Sequence, residues 1–163
     1  MSVLMKTSKL GRVVPAAAAD IVPDDSGYAL NIAGVYQDRV TQQWALHLCR
    51  PATRLAGEER IHDVWYEVHR LSEPGILLDA VRAALRADVI VVSVHAAAEL
   101  PLDLYVWIDA WLPRRLSRVG ALAALIGVAR QPDPHAIHTH EYLQGVARKA
   151  ELDFLPQERR LPA

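Results

Sequence analysis

The strongest constraint on the fold is an alternation of two periods along the chain. Short apolar runs rich in β-branched residues are separated by longer stretches whose apolar residues recur at helical spacing. Ala29 to Tyr36 (ALNIAGVY) reads as a short strand. Arg39 to Ala56 puts Val40, Trp44, Leu48 and Leu55 on one helical face and stops at Gly57. Ile61 to Val68 alternates apolar and polar residues, as a half-exposed strand near a sheet edge does. Leu77, Val81, Ala84 and Leu85 mark a second helix, and Val89 to Val94 (VIVVSV) a strand apolar on both faces. Leu102 to Leu116 reads as a third helix, Gly120 to Val128 as a fourth strand, residues 136–150 as a fourth helix, and Leu152 to Leu155 as a fifth strand. The order β-α-β-α-β-α-β-α-β requires a parallel sheet with right-handed crossovers, covered by helices in three layers. Its expected strand order is 2-1-3-4-5.

The chain has 163 residues, 52% of them hydrophobic and 23% charged, which suits one globular domain. Regular patterning begins at Tyr28. Residues 1–27, with Gly11, Pro15, Pro23 and the Asp24–Gly27 cluster, read as an extension; 28–156 form the domain and 157–163 a polar tail. The formal net charge of −1 provides no field for nucleic acid or an acidic membrane. No apolar run reaches the roughly 18 residues of a membrane span. Lys6, Lys9 and Arg12 precede a short apolar stretch broken by Pro15, a poor match to a secretory signal, so a cytoplasmic location is expected. The single cysteine, Cys49, excludes an intrachain disulfide and reads as a small core residue.

Ligands of open α/β sheets bind outside the carboxyl ends of the strands, where the strand order reverses. That rule gathers Tyr36, Gln37, Asp38 and Arg39 after strand one with Ser93, His95 and Glu99 after strand three. Two readings of this group stand. Asp38 orients the His95 imidazole for acid–base work with Glu99 assisting, or Asp38 caps a helix and His95 lies in water. A second cluster, His135, His138 and Glu141, has ligand types suited to Zn²⁺. Pro132 and Pro134 place it at a helix start, where a solvated first turn is the ordinary reading and no metal is expected. On the third helix, Tyr105, Ile108 and Leu112 form the stripe expected to face the sheet. Leu104, Trp107 and Trp111 form a second stripe that needs cover. A subunit interface, the N-terminal extension or a neighbouring helix would each supply it.

The stretch Ala87-Asp88, Val89 to Val94, Pro101 and Ile108-Asp109-Ala110-Trp111-Leu112 resembles the strand-three and helix-three region of NADPH-dependent FMN reductases. The resemblance implies a flavodoxin-like fold, with flavin at the ends of strands one and three. The chain departs from that family where flavin would bind. A flavin phosphate needs a cradle of backbone N–H groups, usually built with glycine. The turn here is Tyr36-Gln37-Asp38-Arg39-Val40-Thr41, without glycine and with an acid. Ala96-Ala97-Ala98 offers no ring to stack on an isoalloxazine. Receiver domains are similar in topology, but strand three ends in Ser93-Val94-His95 without a phosphoacceptor aspartate, and no lysine lies near Phe154.

The expectation is therefore a flavodoxin-like binding or regulatory module without its own catalysis or cofactor, working as a homo-oligomer or with a protein partner. The alternative is an FMN-dependent NAD(P)H oxidoreductase using the crevice. A metal-dependent enzyme built on His135–Glu141 is a third reading.

Overall fold

The computed structural model describes residues 30–56, 60–97, 99–115, 118–129 and 133–160, and the side chains of all of these but 52–56. The N-terminal extension lies outside the described residues, as do 161–163. The chain divides into two compact units, residues 32–49 with 63–163 and residues 1–31 with 50–62. In the smaller unit the described residues are 30–31, 50–56 and 60–62.

The elements are β1 (Leu30–Tyr36), α1 (Arg39–Ala56), β2 (Ile61–Glu67), a 3₁₀ turn (Val68–Ser72), α2 (Pro74–Arg86), β3 (Val89–His95), α3 (Leu102–Trp111), a second 3₁₀ turn (Leu112–Arg114), β4 (Ala121–Val128), α4 (Pro134–Ala150) and β5 (Asp153–Arg160). The strands form one parallel sheet in the order β2-β1-β3-β4-β5, the expected 2-1-3-4-5. β3 pairs with β1 from Ile32↔Val89 to Tyr36↔Ser93 and with β4 from Val89↔Ala121 to His95↔Gly127. That central place explains a strand with little polarity on either face.

Right-handed crossovers decide which helix covers which face. The β1-to-β2 step runs one way along the sheet and all later steps run the other way, so α1 lies opposite α2, α3 and α4. The buried residues divide accordingly. Ala33, Val35, Ile90, Val92, Val94, Leu122, Ala124 and Ile126 share one core with the inner faces of α2, α3 and α4. Val91, Ser93 and Leu125 point the other way, and the buried Ser93 hydroxyl donates to the Thr41 carbonyl of α1 at 2.7 Å. Gly34 lies on β1 because a Cβ there would collide with the Trp65 ring of β2.

Three sequence expectations change. First, Trp107 and Trp111 are both 0% exposed, as is Leu104. They sit in the shared core, the two indoles meeting edge to face at 5.8 Å, and α3 packs on α2 and the Val68–Ser72 turn. A neighbouring helix supplies the cover, so Leu104, Trp107 and Trp111 are not available to a subunit interface. Ile108 is buried with them, whereas Tyr105 and Leu112 are only half-buried; the two stripes are one broad buried face. The apolar side chains that α3 leaves to solvent are Leu102 and Val106. Second, the α-helix stops at Trp111 and tightens into a 3₁₀ turn at Leu112–Arg114, since Pro113 has no N–H to continue it.

Third, β5 runs on to Arg160, so residues 157–160 are strand and not tail. β5 is an edge strand, and its inward amides alternate from Asp153, which donates to the Gly120 carbonyl at 3.0 Å. Pro156 falls on the outward phase, where its missing N–H costs the ladder nothing and blunts the edge against further pairing.

The far end of the sheet is held by arginine. Arg115 is 3% exposed and donates through Nη1 to the Ala84 carbonyl at 2.7 Å. Arg118 donates to Leu85 at 2.9 Å. Both therefore satisfy carbonyls in the last turn of α2, which have no partner within the helix. Burial, with help from Arg118, pushes the Arg115 guanidinium down to about 10 against the opposing pull of Asp88, which leaves it charged at neutral pH.

Trp107→Ala empties the centre of this core. Truncating a buried tryptophan costs about 3–5 kcal/mol, so urea unfolding should lose that much stability. A variant of unchanged stability that altered only self-association would restore the interface reading.

Candidate functional site

The turn between β1 and α1 is built by two side chains acting on each other's backbone. Asp38 precedes the helix and its Oδ1 accepts from the Thr41 amide at 3.0 Å. The Thr41 hydroxyl accepts from the Asp38 amide at 2.9 Å, which completes a reciprocal capping box. The same hydroxyl accepts from the Gln37 amide at 2.9 Å and shares its hydrogen between the Asp38 carbonyl and carboxylate, at 3.0 and 3.1 Å. A hydroxyl with two acceptor sites and one donor is then fully used. Thr41 is completely buried.

His95, at the carboxyl end of β3, joins this turn twice. Its amide donates to Gln37 Oε1 at 2.5 Å, and its ring Nε2 lies 2.7 Å from Asp38 Oδ2. The His95 side chain is 27% exposed and that of Asp38 50%. Burial alone would raise the Asp38 carboxyl. The Thr41 amide, the His95 ring and the Thr41 hydroxyl outweigh it and hold the group below its ordinary 3.8. Trp44, one turn into α1, meets the imidazole edge to face at 6.1 Å. Arg159 of β5 lies over the Trp44 ring with Cζ 5.8 Å from its centroid, a cation–π distance.

The structure thus joins Gln37, Asp38 and His95, with Ser93 beneath them through Thr41. Both readings of Asp38 hold together: it caps α1 and it orients His95. Tyr36 is half-buried at the end of β1, level with Ser93. Arg39 and Glu99 are exposed, and among the described residues neither bonds to the pair. Thr41, Trp44 and Arg159 are additions. The Asp-x-x-Thr spacing before a helical run is a legible capping signal. Arg159 gave no signal, because it lay in the expected tail.

The His135 cluster does not assemble. Asp133 caps α4, accepting from the His135 amide at 3.0 Å, and the His135 and His138 side chains are exposed. His140 packs against Phe154 at 5.2 Å. Among the described residues no group of three or more His, Cys, Asp or Glu is placed to hold a metal, so His135, His138 and Glu141 form no such group. Cys49 is half-buried; burial, then the charge of Asp63, pushes its thiol up to about 11, so it is a neutral thiol at neutral pH. No helix among the described residues is long and apolar enough to cross a membrane.

No protein-family model and no curated protein matches the sequence. Solved structures do match the backbone. A short-chain flavodoxin associated with a non-canonical PDU bacterial microcompartment aligns at TM-score 0.56 with 16% identity, over 81% of this chain and 84% of that one. The fold is flavodoxin-like. The Trp repressor binding protein of Bacillus subtilis aligns at TM-score 0.54 with 9% identity, over 81% and 88% of the two chains. The azoreductase AzrA aligns at 0.50 with 12% identity, over 78% and 86%. At these identities the flavodoxin-like likeness carries the fold alone.

The depressed Asp38 carboxyl has a signed consequence. A carboxylate whose folded value lies below its unfolded one stabilises the fold above the unfolded value and stops doing so as pH falls through the folded one. The urea midpoint of the native chain should exceed that of Asp38→Asn at pH 7. The gap should close as the pH falls below the ordinary 3.8. An equal gap at pH 7 and pH 2.5 would mean that ionised Asp38 contributes nothing.

Proposed function

We propose that this chain is a flavodoxin-like binding module whose crevice takes its ligand through side chains and not through a flavin-phosphate cradle. The observation that carries this reading is the occupancy of the turn's own donors. The amides of Gln37, Asp38 and Thr41 already donate to Thr41 Oγ1 and Asp38 Oδ1, and that of Gln42 donates to the Asp38 carbonyl. Arg39 and Val40 remain, next in the chain to a carboxylate held ionised. A phosphate dianion would have to displace Thr41 from a buried position and approach Asp38. On this reading the turn offers no cradle for the FMN phosphate.

Further support comes from what stands at the crevice in place of a cradle: an imidazole–carboxylate pair beside an indole. Such a surface selects by hydrogen bonding and apolar contact, with the Arg159 guanidinium engaged on the Trp44 face.

Titrating FMN with the purified chain tests this directly. The expected result is no stoichiometric quenching of flavin fluorescence, with the protein colourless as isolated. Saturable one-to-one quenching would sink the reading and favour the FMN-dependent oxidoreductase.

A further inference from the structure

The geometry of His95 exceeds what a binding surface requires. Asp38 uses Oδ1 for the Thr41 amide and Oδ2 for the imidazole. Because the carboxyl is held low, it is ionised at neutral pH and acts only as an acceptor. The hydrogen between Asp38 and His95 therefore belongs to Nε2. In the neutral ring Nδ1 then carries the lone pair. Among the described residues no hydrogen bond reaches Nδ1, and the side chain keeps 27% of its surface exposed.

The backbone of His95 is anchored as well. The His95 amide is anchored to Gln37, and the preceding strand lies between β1 and β4. Trp44 limits the ring on one side. His69 provides the contrast within the same chain. It also meets a carboxylate, Glu67 at 3.1 Å, but its side chain is 70% exposed on a turn. The His69 contact is open to solvent; His95 is held at both its amide and its ring.

A carboxylate on one imidazole nitrogen raises the basicity of the other and stabilises the imidazolium that forms when it takes a proton. We propose that the Asp38–His95 pair is an acid–base site: a small neutral ligand in the crevice exchanges a proton with Nδ1 of His95. Nδ1 is an acceptor, so the ligand presents a hydroxyl or N–H donor to it and an apolar part to Trp44. In the forward step the ligand's O–H or N–H bond breaks and the Nδ1–H bond forms. The imidazolium then lies between Asp38 and the ligand's conjugate base, and the reverse step returns the proton. His95 is the group that touches the ligand; Asp38 is a positioning residue. This site shares the crevice with the flavin-free reading but does not depend on it. The FMN titration tests that reading, and the measurements below test this one.

Two measurements on the full chain decide it. Diethyl pyrocarbonate acylates an imidazole nitrogen that carries a lone pair, releasing ethanol and carbon dioxide, and peptide mass mapping reads the rate at each histidine. His95 should react several-fold faster than the exposed His69, His135 and His138. Asp38→Asn, which keeps a good capping residue, should remove that advantage. A purely structural histidine, mostly covered, would react more slowly than the exposed three, and that result would overturn the proposal. Long-range ¹⁵N–¹H spectra of the native protein at neutral pH give an independent answer if the variant does not fold. The Nε2–H tautomer is expected, and an Nδ1–H tautomer at His95 contradicts the proposal.

Discussion

The site depends on the mutual capping of Asp38 and Thr41. Each side chain satisfies the other's amide, and the Thr41 hydroxyl also takes up Gln37. An N-cap is worth about 1 kcal/mol, a modest energy, but its positional effect is larger. It starts α1 at a defined residue, turns the Asp38 carboxylate toward His95 and lays the Thr41 carbonyl over Ser93. One buried threonine thus connects the ends of β1 and β3 to the first turn of α1. A turn that satisfies its own donors in this way has few left for an anionic ligand.

The opposite face of the sheet is organised differently. It carries three helices and an apolar core centred on Leu104, Trp107, Ile108 and Trp111. Two buried indoles in edge-to-face contact supply area that smaller residues would not, and their stiffness suits a close-packed layer. Bulk on that side leaves the crevice side free to be built from polar groups. At the other end of the sheet, Arg115 and Arg118 close the last turn of α2, so polar satisfaction at both ends comes from side chains.

Much of the architecture was legible in the sequence because the hydrophobic period changes cleanly from element to element. The Val-Ile-Val-Val run read as an interior strand, and the Tyr36-to-Thr41 stretch as a strand-to-helix turn. Where reading failed, the cause was a neighbour that periodicity does not see. Trp107 and Trp111 lie off the stripe centred on Ile108, and only the packing of α2 and the Val68–Ser72 turn explains their burial. The expected fifth strand stopped at Leu155, but the observed one runs through Pro156, whose lost N–H points outward on an edge strand. The pairing of Asp38 with His95 was one of two readings, since a sequence places residues at the same end of a sheet without giving the distance between them. Arg159 over Trp44 was out of reach, because the strand that carries it extends beyond the expected boundary.

Similarity to solved flavodoxin-like structures at 9 to 16% identity leaves the chemistry to the residues themselves. We propose that the Gln37, Asp38 and Thr41 amides of this turn, each taken up within it, are unavailable to an anion. Backbone amide spectra recorded while inorganic phosphate is added test this. The amides of Gln37, Asp38 and Thr41 should keep their chemical shifts up to high phosphate concentration. A saturable shift of those three resonances, marking phosphate seated in the turn, would contradict the account.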